Sequence, residues 1–315
     1  LTDKLIGGQA VIEGVLMKSD ASWCVSVRKK DNSIVTIKKN FTSLGDRFTL
    51  FKIPFLRGVV NLFEMLFIGI KALTISSNIQ IQDQESPIPS DRDDHISKPF
   101  FEPYNPEKGF SKWDLLWSFS VSAIIAVLIF MVLPHYIVES SFKIKPVSLK
   151  FHLFEGLIRF LFFFAYVIFI SMFKDIKRVF KYHGAEHKCV YCYEANKKLI
   201  LENAKKFSPY HPRCGTNFIF IVMITSIIIF SFIKSGSFIS QIGLKLLLVP
   251  VIAGISYELL RLGAKIRVLS FLNYPGILFQ RLTALEPDDS MIEVALRSLT
   301  SVLEMEKIDY VPEED

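Results

Sequence analysis

The sequence predicts a mainly α, multi-pass α-helical membrane protein with four spans and a small amino-terminal β-hairpin element. Half of its 315 residues are apolar and 29 are phenylalanine, a composition unlike that of an ordinary soluble domain. These apolar residues gather into runs long enough to cross a hydrocarbon core of about 30 Å. Between the runs lie polar segments that share lysine and arginine unevenly, the pattern that sets orientation in a bilayer.

Residues 1–50 read as a cytoplasmic amino-terminal element. Trp23 to Val27 and Ser33 to Lys38 both alternate in strand fashion around the polar turn Lys30-Asp31-Asn32, which predicts a hairpin. The preceding GGQAVIEGVLMKS, residues 7–19, reads as a glycine-rich loop leading into it. No long apolar run follows the first charged residues, so no cleavable signal peptide is expected. Residues 51–78 contain FLRGVVNLFEMLFIGIKALT, where Arg57, Asn61, Glu64 and Lys71 fall near helical spacing. That pattern predicts an amphipathic helix on the membrane or against the bundle, with a membrane crossing as the alternative.

Residues 79–112 are polar and proline-rich and read as a linker, with His95 as a solvated loop residue. The membrane domain occupies residues 113–265, with spans expected at 117–138, 153–173, 218–233 and 238–260. Pro134 and His135 mark a kink or interfacial exit in the first span. Glu155 and Arg159 are four apart in the second and can pair on one face. Lys245 and Glu258 interrupt the fourth. In the carboxyl-terminal segment, residues 266–315, Asn273-Tyr274-Pro275-Gly276 signals a turn. Ser290 and Glu293 then form a capping box ahead of Ile292, Leu296 and Leu299. The resulting amphipathic helix requires a docking surface, from the hairpin or from another subunit.

Between the second and third spans, Lys174 to Arg213 carries ten basic residues against four acidic ones. The positive-inside rule places this loop, and with four spans both termini, on the cytoplasmic side of the membrane. That compartment is reducing, so the cysteines are expected as thiols or metal thiolates. The net charge of +6 follows from the same flanking residues, and the scattered basic doublets form no nucleic-acid-binding stripe.

Residues 174–217 form the candidate metal-binding loop. Residues 181–217 hold three of the six histidines and three of the four cysteines. His183 and His187 share one face of a helix, with Glu186 beside them. His183-Gly184-Ala185-Glu186-His187 matches the HxxEH pattern of inverted zincins, in which two histidines hold zinc and the glutamate is general base. Glu258, about seventy residues downstream, is a candidate third ligand, its competing role being a salt bridge to Arg261 or Arg159. A second constellation overlaps the first. Cys189 and Cys192 form CxxC, and His211 and Cys214 form HxxC about eighteen residues on, the two-plus-two arrangement of a structural zinc site.

Together GGQAVIEGVLMKS, KYHGAEHKCVYCYE, HPRCGTNF, SYELLRL and PGILFQRLTALEPDD resemble the YqhQ-like bacterial membrane proteins, a domain of unknown function labelled as predicted metal-dependent enzymes. The resemblance spans nearly the whole chain apart from the linker. It implies a multi-pass protein of the bacterial cytoplasmic membrane whose polar motifs gather around a metal. Its motifs point to His183, Glu186, His187, Cys189, Cys192, His211 and Cys214, with Glu13 and Glu258 as additions. Three functions are then in view. The first is a zinc (or other divalent transition metal) hydrolase with Glu186 as catalytic base, acting on peptide or lipid-linked substrates. The second is a non-catalytic zinc-stabilised scaffold or assembly factor for a membrane-protein or peptide partner. The third is a transporter built on Glu155, Arg159, Lys245 and Glu258. Membrane lipids are partners in all three, and nucleic acid in none.

Overall fold

A computed structural model describes residues 6–85, 112–233, 237–265, 273–308 and 310. The amino-terminal element is a four-stranded antiparallel meander in the order β1-β2-β3-β4: β1 Gly7–Val11, β2 Gly14–Lys18, β3 Ser22–Arg28 and β4 Ile34–Asn40. The expected hairpin is its second half. Its first half corrects the reading of residues 7–19 as a loop, because Val11 pairs with Gly14 across a two-residue turn in which Glu13 takes φ 52.

The sheet is apolar on both faces because both are covered. Val15, Met17 and Cys24 face helices α6 (Lys174–Glu194) and α11 (Asp289–Met305). Leu16, Trp23 and Val25, one residue out of phase, face Ile68, Ala72 and Ile79 of α2 (Leu56–Glu85), as the two-residue period of a strand requires. Burying both faces removes the polar alternation that marks a one-sided sheet. α11 thus finds its docking surface within the chain. It begins one residue before the expected capping box, and Glu293 pairs with Arg28 at 2.8 Å.

A short α1 (Leu44–Arg47) leads to α2, a single 30-residue helix. The first part of α2 packs on α9 (Phe238–Lys265), where Asn61 Nδ2 donates to Tyr257 Oη at 2.7 Å. Its second part lies on the sheet and runs to Glu85, into the stretch expected as linker. The rest of that linker, with His95, lies outside the described residues.

α3 (Lys112–Val127) passes through a wide π-turn, Leu128–Val132, into α4 (Leu133–Ser140). Pro134 occupies the first turn of α4, so the helix continues through it. α5 (Leu149–Ser171) returns to α6. The short α7 (Leu201–Ala204) precedes α8 (Gly215–Phe230), α9, and α10 (Tyr274–Thr283), which starts at the expected turn signal. Among the described residues, four helices are long and apolar enough to cross a membrane: Leu56–Asp83, Leu116–Ser140, Leu149–Ser171 and Phe238–Gly263. The number matches expectation but the membership differs. α2 qualifies, whereas α8, at 16 residues or about 24 Å, is shorter. Trp117, Leu247 and Phe232 lie mostly exposed on the bundle surface, as lipid-facing side chains do.

Candidate metal centre

α6 places His183 and His187 on one face, one turn apart, with ring centroids 4.4 Å from each other. Cys214 joins them as the N-cap of α8, and its sulfur accepts from Thr216 N–H at 3.5 Å and from Thr216 Oγ1 at 3.4 Å. One ligand atom from each of His183, His187 and Cys214 falls within 4.8 Å of the others.

Hydrogen bonds fix what these side chains can offer. His183 Nδ1 lies 2.7 Å from Thr283 O, and His187 Nδ1 lies 2.5 Å from Pro209 O. A carbonyl oxygen only accepts, so each Nδ1 carries the proton and each Nε2 presents a lone pair. His183 Nε2 points at Cys214 Sγ, 3.2 Å away. Thr283 O is free for this bond because it lies at the C-terminus of α10, where helix carbonyls lack intrahelical partners. Burial lowers the pKa of His187, with opposition from its contact to Cys214, and so favours the neutral, ligating imidazole.

Gly184 makes this geometry accessible. A Cβ there would come within 2.0 Å of Leu285 O and 3.3 Å of Pro209 Cβ, so any side chain would push away the two segments that hold the histidines. Gly8 acts in the same way for Glu186. Its N–H donates to the Glu186 carboxylate, and a Cβ would meet Glu186 Cγ at 2.7 Å. Glu186 is buried, which raises its pKa against the opposing influence of His183, His211 and that N–H. One of its oxygens lies 3.5 Å from His187 Nε2.

The remaining expected ligands are elsewhere. Cys189 and Cys192 sit about 240° and 180° round the helix from His183 at ~100° per residue, and they enter the core under α11. Their sulfurs meet Ile292 O at 3.7 Å and Lys198 O at 3.5 Å. Burial raises Cys189 well above the ordinary thiol range and pushes Cys192 up to about 11, the behaviour of inert structural thiols. The cysteines of CxxC and HxxC are therefore not brought together.

His211 lies near His187, with ring centroids 5.7 Å apart, but both its nitrogens are engaged. Nδ1 accepts from Arg213 N–H at 3.2 Å and Nε2 faces Glu194 at 3.2 Å. Burial acts to raise Glu194, but the bonds to His211 and Arg213 outweigh it and hold the carboxyl below its usual range. Gln280 clamps the His211 backbone, donating to its O at 2.8 Å and accepting from its N–H at 2.7 Å.

Glu258 forms a two-pronged ion pair with Arg57 of α2 and does not reach the histidine cluster. Glu13 makes a similar pair with Arg178, both contacts at 2.5 Å, and thereby pins the β1–β2 turn to α6. Sequence reasoning missed the carbonyls of Pro209 and Thr283, which no side-chain pattern announces. It also missed the two-sidedness of α6, which helical phase could have revealed.

Two imidazole nitrogens and one sulfur form a donor set that zinc and similar borderline ions accept, and three protein ligands leave a coordination position open. The fold and this cluster together define a multi-pass helical membrane protein with a candidate His/His/Cys metal centre. The chain belongs to the bacterial family described as "Protein of unknown function (DUF1385)", which matches residues 53–305. It is similar to the "Uncharacterized protein YqhQ" of Bacillus subtilis (strain 168), with 32% identity over 309 residues covering 96% of this chain and 93% of the relative. No solved structure matches the chain.

Proposed function

We propose that the protein is a membrane-embedded zinc hydrolase in which His183, His187 and Cys214 hold the metal and Glu186 is the general base. The observation that carries this reading is the pair of Nδ1–H to carbonyl bonds, which turn both Nε2 lone pairs toward Cys214. Such locking is the outer-shell support that metal-ligating histidines need. Zinc so held supplies Lewis acidity toward a substrate oxygen. Glu186 Oε2 takes the proton of the attacking water, and its buried position suits it to hold that proton and pass it to the leaving group. His183, the partly accessible imidazole, marks the open side of the site.

Topology supports a site at one membrane face. The sheet, α6 and α11 pack as one body, so the chain crosses an even number of times between β4 and α6. Both parts of α2 pack against elements of that side, the end of α9 and the sheet, which leaves α3–α4 and α5 as one pair of crossings. α8, lengthened by the closing turn at Ser231–Ile233, would form the other pair with α9. The lysine and arginine of residues 174–213 support a cytoplasmic position for this body. Peptide or lipid-linked substrates suit such a location.

Metal analysis of the full chain in lipid nanodiscs tests the reading. One zinc per chain is expected in the wild type and in Cys189→Ser/Cys192→Ser, and none in His183→Ala or His187→Ala. Glu186→Gln is expected to keep zinc and lose hydrolysis across a panel of peptide and lipid-linked substrates. Zinc kept by His187→Ala but lost from the double cysteine variant would overturn it in favour of a closed scaffold site.

A further inference from the structure

A second polar cluster is buried in the membrane bundle. Glu155 of α5, Lys245 of α9 and His135 of α4 are each 1% exposed or less. Lys245 Nζ lies 2.5 Å from Glu155 Oε1 and 3.0 Å from His135 Nδ1. Arg159 donates to Glu155 at 3.1 Å, to Ser226 of α8 at 3.2 Å and to Phe130 O of the π-turn at 2.8 Å. His152 Nδ1 lies 3.6 Å from Glu155. The rings of Phe151 and Phe238 close round His135.

Two features go beyond a structural salt bridge. The buried core holds two cations, Lys245 and Arg159, against one carboxylate, and an unbalanced charge in a low-dielectric bundle is costly. A second carboxylate, Glu139, lies on the far side of His135: its side chain is 41% exposed and its Oε2 is 3.8 Å from His135 Nε2. His135 therefore stands between a buried ammonium and a solvent-accessible carboxylate. Its Nδ1 accepts from Lys245, so its Nε2 carries the proton, and Nε2 is a buried polar atom with no hydrogen-bond partner among the described residues.

The geometry points to a buried proton-binding site at Lys245 and Glu155 that exchanges its proton with water through His135 and Glu139. In the transfer, Lys245–NH3+ gives a proton to His135 Nδ1 while His135 Nε2–H passes its own to the Glu139 carboxylate. Lys245 becomes a neutral amine, Glu139 a neutral acid, and His135 changes tautomer without net charge. Loss of the Glu139 proton to water completes the release, and the reverse sequence reloads the site. Releasing Lys245 from its charge leaves Glu155 facing Arg159 as its remaining cation, with the His135 and His152 rings beside it.

The location gives this site its own address. Glu155 and Lys245 lie about two turns or less from the starts of α5 and α9, and His135 lies in the first turn of α4, less than two turns before the continuous α3–α4 rod ends at Ser140. Cys214 and His183 lie at the other end of the bundle, where α8 begins and α5 hands over to α6. Protons enter at the membrane face opposite the metal centre, a function independent of hydrolysis.

The test is solvent exchange at Lys245 Nζ in the full chain, labelled with 15N-lysine, in lipid nanodiscs, with Lys245→Arg assigning the signal. Lys245 is expected to exchange readily in the wild type. Exchange should slow on the order of a hundredfold in His135→Asn and in Glu139→Gln, which remove one relay group each. Glu139 is half-exposed, so its variant keeps the proposal testable if the His135 variant fails to fold. An exchange rate unchanged by Glu139→Gln, or a wild-type Lys245 protected as long as the core amides, would overturn the proposal.

Discussion

The two faces of α6 carry the same kinds of residue and have opposite fates. On one, His183 and His187 are locked by carbonyls and face Cys214. On the other, Cys189 and Cys192 are packed under α11 with raised thiol pKa values. Residue type is therefore a poor guide to metal binding on this helix. Helical phase decides which side chains meet a partner segment that can orient them, and which meet a core that only fills space.

That comparison is broken most severely at Gly184. Gly184→Ala must displace Leu285, with an expected loss of about 3 kcal/mol of stability and a fall in zinc affinity of roughly 10- to 100-fold as the histidines lose their carbonyl partners. Denaturant unfolding in detergent and competitive chelation measure the two effects. Gln280→Leu comes next. It strands the His211 N–H and carbonyl and is expected to cost about 2 kcal/mol, with zinc retained because the His211 nitrogens are taken by Glu194 and Arg213 N–H.

On the cysteine face, Cys189→Ala is expected to cost about 1 kcal/mol as a small core deletion, with no change in bound zinc. The smallest effect belongs to Glu293→Ala, which removes an exposed ion pair between α11 and the sheet and should shift stability by less than about 1 kcal/mol. A larger loss of zinc in Cys189→Ala than in Gly184→Ala would reverse the assignment of the two faces.

Much of this arrangement is legible in the sequence, and the rest fails for identifiable reasons. Apolar runs announce the membrane helices, and the spacing of His183 and His187 announces their shared face. Cys214 joins them only because the chain between α6 and α8 folds back, which spacing does not encode. Spacing instead groups it with His211, whose nitrogens are taken by Glu194 and Arg213 N–H. Glu258 reads as a ligand in isolation because its partner Arg57 lies about two hundred residues upstream on α2. The β1–β2 hairpin hides behind Gly7, Gly8 and Gly14, weak strand formers, of which Gly8 is closely approached by Glu186 and Gly14 by Ser26 O. His135 and His152 carry no motif, and only packing reveals that they meet Lys245 and Glu155.

X-ray absorption at the zinc edge of the zinc-loaded full chain tests the central claim most directly, because it counts the ligands by element. A His183/His187/Cys214 site gives two imidazole nitrogens, one sulfur at about 2.3 Å and one further light atom. Two or three sulfurs in the coordination shell would contradict it and return Cys189 and Cys192 to the metal.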